Sequence, residues 1–388
     1  MDLGFPVSVD DYARRVRPAT ESLSSFRSEL TADLDLEDGG FGFWSHSMDW
    51  KTRVLLADYL IQIVAGTAES LTSASLAAVE HAEQTHAENH AIKQAWMALN
   101  RRTPRPSPEE YFAAIPRGGV AERREQRVIS SAEQCFFHLG QTLDRLAAAL
   151  IIVGGFGHRN VVQADWKSIE KLRRAASELP PRLRRRLEEP KMLAAETDGG
   201  RLQRRLLDAA DPEPFGPQGW LSWMRETRNA MTHRPPAKKM MIMVDSGTFA
   251  RVFYRHPRWS EVQSLVYAAR GNDDRSRAHR IDFRHQFLME ASTDVLDGLC
   301  DSTMSMVIHL VTAMTECWRQ RRAHPQLVIQ HAVQWPASAP EITNSAQFPG
   351  YGTALRTPAL DTIAMNPEDS HRWQVARVSG DRWTEWHE

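Results

Sequence analysis

The chain has 388 residues, 42% of them hydrophobic, with Lys+Arg 48 against Asp+Glu 49 and a formal net charge of -1. That length suits two average domains or one with insertions, and the composition is globular with enough apolar residues for a sizeable core. A near-zero net charge does not advertise a polyanion partner, so any nucleic-acid site has to be local. Cys135, Cys300 and Cys317 are far apart, match no metal-ligand spacing and fall in apolar helical text, as reduced core residues do. The N-terminus has no basic region followed by an apolar core, and the longest apolar run, near Ala147 to Val153, is too short for a bilayer. A cytoplasmic protein is expected.

Residues 1 to 49 read as a helical extension. Ser8 is the N-cap candidate, and Tyr12, Val16, Leu23, Phe26, Leu30 and Leu34 form an amphipathic run interrupted at Pro18. The text D-G-G-F-G-F-W ends it, and Phe41, Phe43 and Trp44 are placed to anchor that loop to the body. From Trp50 to about Leu99 breakers are few, and Trp50, Val54, Ala57, Leu60, Ile63, Val64 and Leu71 keep a helical period that fits one or two long helices. His86 and His90 lie four apart beside His81, Glu83 and Glu88. Such a pair can share a metal, but H-A-E-N-H puts its Glu in the wrong place for H-E-x-x-H, and a solvated polar face accounts for it better.

Arg101 to Pro108 is a loop, with Ser107 and Pro108 as cap and first position of a short helix. From Glu122 a second long helix carries Ile129, Phe136, Leu139, Leu143, Leu146, Ala147 and Leu150 on one stripe, stopped by Gly154, Gly155 and Gly157. Gly157 to Gly216 is an Arg-rich insertion of short helical pieces. Arg182, Arg184, Arg185 and Arg186 are its RNA-binding candidates, because clustered guanidiniums track a phosphate backbone, although nearby Glu178, Glu188 and Glu189 neutralise part of that charge.

The segment W-L-S-W-M-R-E-T-R-N-A-M-T-H-R-P-P, Trp220 to Pro236, joins an apolar helical face to a polar cluster. Trp220, Trp223, Met224, Thr227 and Met231 recur at three- and four-residue steps and form the buried face. Pro235 and Pro236 forbid continuation, so His233 sits at the helix end, where the negative pole of the helix favours a protonated imidazole. Arg228 offers a fork of donors matched to a phosphate, Asn229 an orienting donor, and Arg225 and Glu226 stand by as helpers. These are the parts for cutting RNA without a metal. A base removes the 2′-hydroxyl proton, the Arg holds the phosphate as charge develops, and an acid protonates the leaving oxygen.

Farther on, M-M-I-M-V and F-A-R-V-F-Y read as a hairpin turning at Asp245, Ser246 and Gly247, and Val262 to Ala268 as a further strand. The longest helix is expected over about Gln286 to Arg322. Beyond Pro325, Val328 to Trp335 reads as a strand and Trp373 to Trp386 as a hairpin turning at Ser379 to Asp381.

The set Arg228, Asn229 and His233 resembles the R-x4-6-H motif of the HEPN superfamily. The looser spacing recurs at Arg251/His256, Arg280/His285 and Arg319/His324; only the last has a polar residue after its Arg, and it reads equally as a basic helix terminus. The helical periods predict a mainly α fold, an up-and-down bundle over residues 50–324 with an Arg-rich helical insertion at about 157–216 and a small β insertion at about 237–285, between a helical extension at 1–49 and an irregular or β extension at 325–388. The resemblance implies that the bundle is HEPN-like, while the insertions and extensions have no counterpart in the family's minimal domain. An Asp-Arg pair such as Asp144 and Arg145 suits such bundles and reads equally as polar surface. It also implies a metal-independent endoribonuclease that needs no cofactor, takes RNA as substrate, completes its site across a homodimer, and serves as a toxin or effector of stress or anti-phage defence under a cognate regulator or antitoxin. A catalytically inactive sensor or scaffold of the same fold, binding protein or RNA, is the alternative.

Overall fold

The structure is a computed structural model and describes residues 11–45, 48–157, 161–178, 193, 196–233, 240–245, 248–255, 287–327, 348, 350–351 and 366–380. Among these, nine α-helices carry the architecture: α1 (Asp11–Ala32), α2 (Trp50–Arg102), α3 (Pro108–Ala113), α4 (Gly119–Gly154), α5 (Trp166–Glu178), α6 (Asp198–Asp208), α7 (Trp220–His233), α8 (Ser292–Ala323) and α9 (Pro367–Gly380). Strands are few. β1 (Leu34–Asp35) pairs with β2 (Gly40–Phe41), and β3 (Met240–Asp245) with β4 (Thr248–Val252), both antiparallel. The mainly helical class expected from periodicity therefore holds, as do the short helix capped by Ser107 and the hairpin after α7.

The chain divides into two compact units, each drawn from three separate stretches. One comprises Met1–Thr20, Ala68–Thr142 and Pro212–Val307; the other comprises Glu21–Thr67, Leu143–Asp211 and Ile308–Glu388. In the first unit a buried histidine ties three elements. His81 Nδ1 donates to the Val128 carbonyl at 2.8 Å, which fixes the tautomer, and its Nε2 accepts from Ser292 Oγ at 2.8 Å. Nearby, Arg251 on β4 makes a two-point ion pair with Glu88 on α2, and Ile92, Trp96 and Phe249 form a small core under Tyr111 and Ile115. Cys135 and Cys300 face each other with sulfurs 3.9 Å apart, both buried as free thiols.

In the second unit the loop after α1 is anchored by its aromatics, as its sequence suggested. Phe41, Phe43 and Trp44 meet Trp318 of α8 edge to face, with ring centres 4.6 to 5.5 Å apart. Buried Arg321 lies over Trp44 and donates to the carbonyls of Ile152 and Val153 at the end of α4. Burial lowers its pKa to about 10, which leaves it charged at neutral pH. Asp144 accepts from the Trp166 backbone and Arg145 donates to the Gly66 carbonyl, so this pair fastens neighbouring backbone.

Four expectations need correction. Pro18 does not interrupt α1: it is exposed, and burial of Val16, Ala19, Leu23, Phe26 and Leu30 outweighs the one helical hydrogen bond that proline forgoes. The longest helix is α2, with 53 residues, and α8 begins at Ser292. The stretch read as the first arm of a terminal hairpin is helical in α9; the signal overlooked was N-P-E-D, in which Asn366 Oδ1 accepts from the Asp369 amide and Pro367 takes the first helical position. Finally, α2 and α4 each contain an 18-residue window long and apolar enough to cross a membrane, which scattered Ala, Thr and Gly hide from a search for unbroken apolar runs. Inside the protein 50% and 72% of those windows is buried, as in core helices. Ser8, Val262 to Ala268 and Val328 to Trp335 lie outside the described residues.

His81 links this core to pH. Burial pushes its pKa down from 6.5 to about 4, so between those values the unfolded chain binds a proton that the folded one does not. Its contribution is full above pH 6.5 and is lost as pH falls towards 4, roughly 3 kcal/mol in all at 1.36 kcal/mol per pH unit. Urea unfolding at pH 7 and pH 4.5 should show that loss, and His81→Gln should flatten it; equal slopes in both proteins would remove His81 as the cause.

Candidate active site

Helix α7 is held by the face its sequence marks out. Trp220, Leu221, Met224 and Thr227 are buried, and Met231 is half-buried. Trp223 stacks edge to face against Phe136 of α4 at 5.7 Å and Phe253 at 6.0 Å, and its indole N–H donates to the Tyr254 carbonyl at 3.1 Å. Trp220 donates to the Pro212 carbonyl at 3.0 Å. Both indoles thus have a partner for the one polar atom that burial would otherwise penalise.

With that face fixed, the polar residues sort by helical angle. At 3.6 residues per turn, position 233 stands about 140° around the helix from position 228, whereas 229 and 233 share one face. His233 is the last helical residue, as expected, and its side chain lies outside the described residues. Asn229 is exposed, and Arg225, Glu226 and Arg228 are half-buried.

Arg228 folds against α4. A methyl group built on Gly140 would fall 2.6 Å from Arg228 Nε and 2.7 Å from its Cδ, so only glycine admits the guanidinium stem in this position. Beside it lies an open recess of about 240 Å³ whose walls include Ser130, Glu133, Gln134, Phe137 and Met231. None of these α4 residues was singled out from the sequence. Gly140 left a signal, an isolated glycine within an apolar helical stripe, which usually has a packing or functional reason.

The other sequence candidates separate. Arg251 is committed to Glu88, at 2.7 and 2.8 Å, and is buried. Arg319 is exposed and paired with Glu29 at 2.8 Å, and His324 is exposed beyond the end of α8. His256, Arg280 and His285, and the RNA-binding candidates Arg182, Arg184, Arg185 and Arg186, lie outside the described residues. His86 and His90 are exposed on α2, and among the described residues no group of three or more His, Cys, Asp and Glu is placed to hold a metal ion.

The contact at Gly140 makes stability and site move in opposite directions. Alanine is worth about 1 kcal/mol more than glycine in a helix interior, and the obstructing atoms belong to a flexible side chain. Gly140→Ala should therefore keep or raise the melting temperature while displacing Arg228, which the RNA-substrate expectation drawn from the sequence converts into weaker binding of an RNA oligonucleotide at low salt. Unchanged binding at unchanged stability would mean that Arg228 does not need this seat.

No family model, no curated protein and no solved structure matches the chain, so the chemistry of the site rests on its own residues.

Proposed function

We propose that the protein is a metal-independent endoribonuclease of HEPN type. The observation that carries this reading is the placement of Arg228 on an open recess, seated on Gly140, on the helix that ends at His233. In the reaction, His233 acts as general acid or base on the ribose 2′-hydroxyl or the leaving 5′-oxygen. Arg228 neutralises the charge that grows on the phosphate, and Asn229 orients the imidazole or the strand. Attack by the 2′-oxygen breaks the phosphorus–oxygen bond to the next nucleotide and leaves a 2′,3′-cyclic phosphate. Arg225 and Glu226 assist from the preceding turn.

The helical angle supports a composite site. Positions 228 and 233 of one α7 face different directions, so a scissile phosphate held by one chain's Arg228 is better reached by His233 of a second copy, which favours a homodimer. A cytoplasmic effector of bacterial stress or anti-phage defence, held in check by a cognate regulator, fits this chemistry. The non-catalytic alternative, a sensor or scaffold, draws on one observation: Glu133 shares the recess with Arg228 and weakens its pull on a polyanion.

Purified protein incubated with RNA in excess EDTA should generate 2′,3′-cyclic phosphate ends. His233→Ala and Arg228→Ala should each lower the cleavage rate by about a hundredfold or more. A folded wild-type dimer that cuts nothing would favour the scaffold, and cleavage indifferent to His233→Ala would end the proposed mechanism.

A further inference from the structure

The recess beside Arg228 has features that a phosphate clamp does not need. Phe137 stands on α4 one turn before Gly140 and is 46% exposed, its ring edge to face with half-buried His138 at 5.5 Å, whereas its neighbour Phe136 is buried in the core. Unlike the other exposed rings, Phe137 lies on the wall of this recess, where a flat ligand could cover its apolar face. Glu133 adds a carboxylate to the same walls, which repels a phosphate but not a neutral ring, and Ser130 and Gln134 offer hydroxyl and amide groups in mutual contact at 3.2 Å. At about 240 Å³ the space is below the usual range for drug-sized ligands, and so it suits one planar ring rather than a dinucleotide.

We infer that this recess is a nucleobase subsite: one base of the RNA strand stacks on Phe137, with its edge towards Glu133 and Gln134, while Arg228 holds the adjoining phosphate. The division of labour follows from charge, since the cation faces the anionic backbone and the carboxylate lies where the base enters. It rests on the ribonuclease reading for its ligand, but not on catalysis, because stacking needs no bond to break. Stacking on an aromatic side chain tolerates any base and contributes enough that its removal is measurable.

The test uses a labelled single-stranded RNA with 2′-O-methyl riboses, which can bind but cannot be cut, followed by fluorescence anisotropy, alongside cleavage of the unmodified strand. Phe137→Ala should weaken binding about tenfold and Phe137→Trp should restore it, with unfolding midpoints showing both variants folded. Equal binding by wild type and Phe137→Ala overturns the subsite, even if the wild type cleaves RNA and the nuclease reading stands. Binding that falls with Phe137→Ala in a protein that never cleaves supports the subsite and rejects the nuclease. Absence of any binding rejects the subsite outright, and accompanying absence of cleavage rejects both.

Discussion

A long helix that ends inside protein must find donors for its last carbonyls, and the second unit is assembled around that requirement at the end of α4. The last carbonyls run out of helical donors there: that of Ile152 accepts from the Gly155 amide at 3.1 Å, while those of Val153 and Gly154 depend on side chains from elsewhere. Arg321 donates to the first two at 2.9 and 2.6 Å, the Cys317 thiol approaches Val153 at 3.6 Å, and Gln203 Nε2 donates to Gly154 at 2.8 Å. Helices α6 and α8 are thereby tied to one terminus by hydrogen bonds in a dry setting, where each is worth most and its loss leaves an orphaned group. The Arg321 charge, aligned with the negative pole of α4 and covered by Trp44, is tolerated for the same reason.

The first unit solves a different problem, how to hold a short amphipathic helix so that its polar side stays available. Helix α7 has only 14 residues and would not persist alone. Two tryptophans supply the apolar area, and the hairpin that follows supplies carbonyl and ring partners through Tyr254 and Phe253. Arg228 then borders the recess against α4, and the stripe bearing exposed Asn229 and position 233 remains outward.

Much of this was legible in the sequence because it depends on periodicity and local caps. The stripe Trp220, Trp223, Met224 and Thr227, the Ser107 cap and the anchoring role of Phe41, Phe43 and Trp44 are written within a few residues of each other. Contacts between distant stretches are not written that way. An apolar stripe does not name its partner, so neither the interleaving of three stretches in each unit nor the seat of Arg228 on Gly140, 88 positions earlier, could be read. The error at α9 had a different origin: alternating Trp and Val residues imitate a strand, and the Asn-Pro cap that decides for helix stands seven residues before Trp373. Arg251 shows the reverse case, a motif-like spacing used instead for a buried ion pair.

The three thiols offer a use that has nothing to do with the site. Cys135 and Cys300 are fully buried in one unit and Cys317 nearly so in the other; the Cys300 contact together with burial raises the pKa of Cys135 well above that of an exposed thiol, and burial raises that of Cys317 to about 11. A thiol that is both hidden and protonated does not alkylate until its surroundings open. Each cysteine is therefore a native clock for its own unit: the rate at which a reagent captures it reports how often that part of the protein comes apart, without a label, a tag or a substitution.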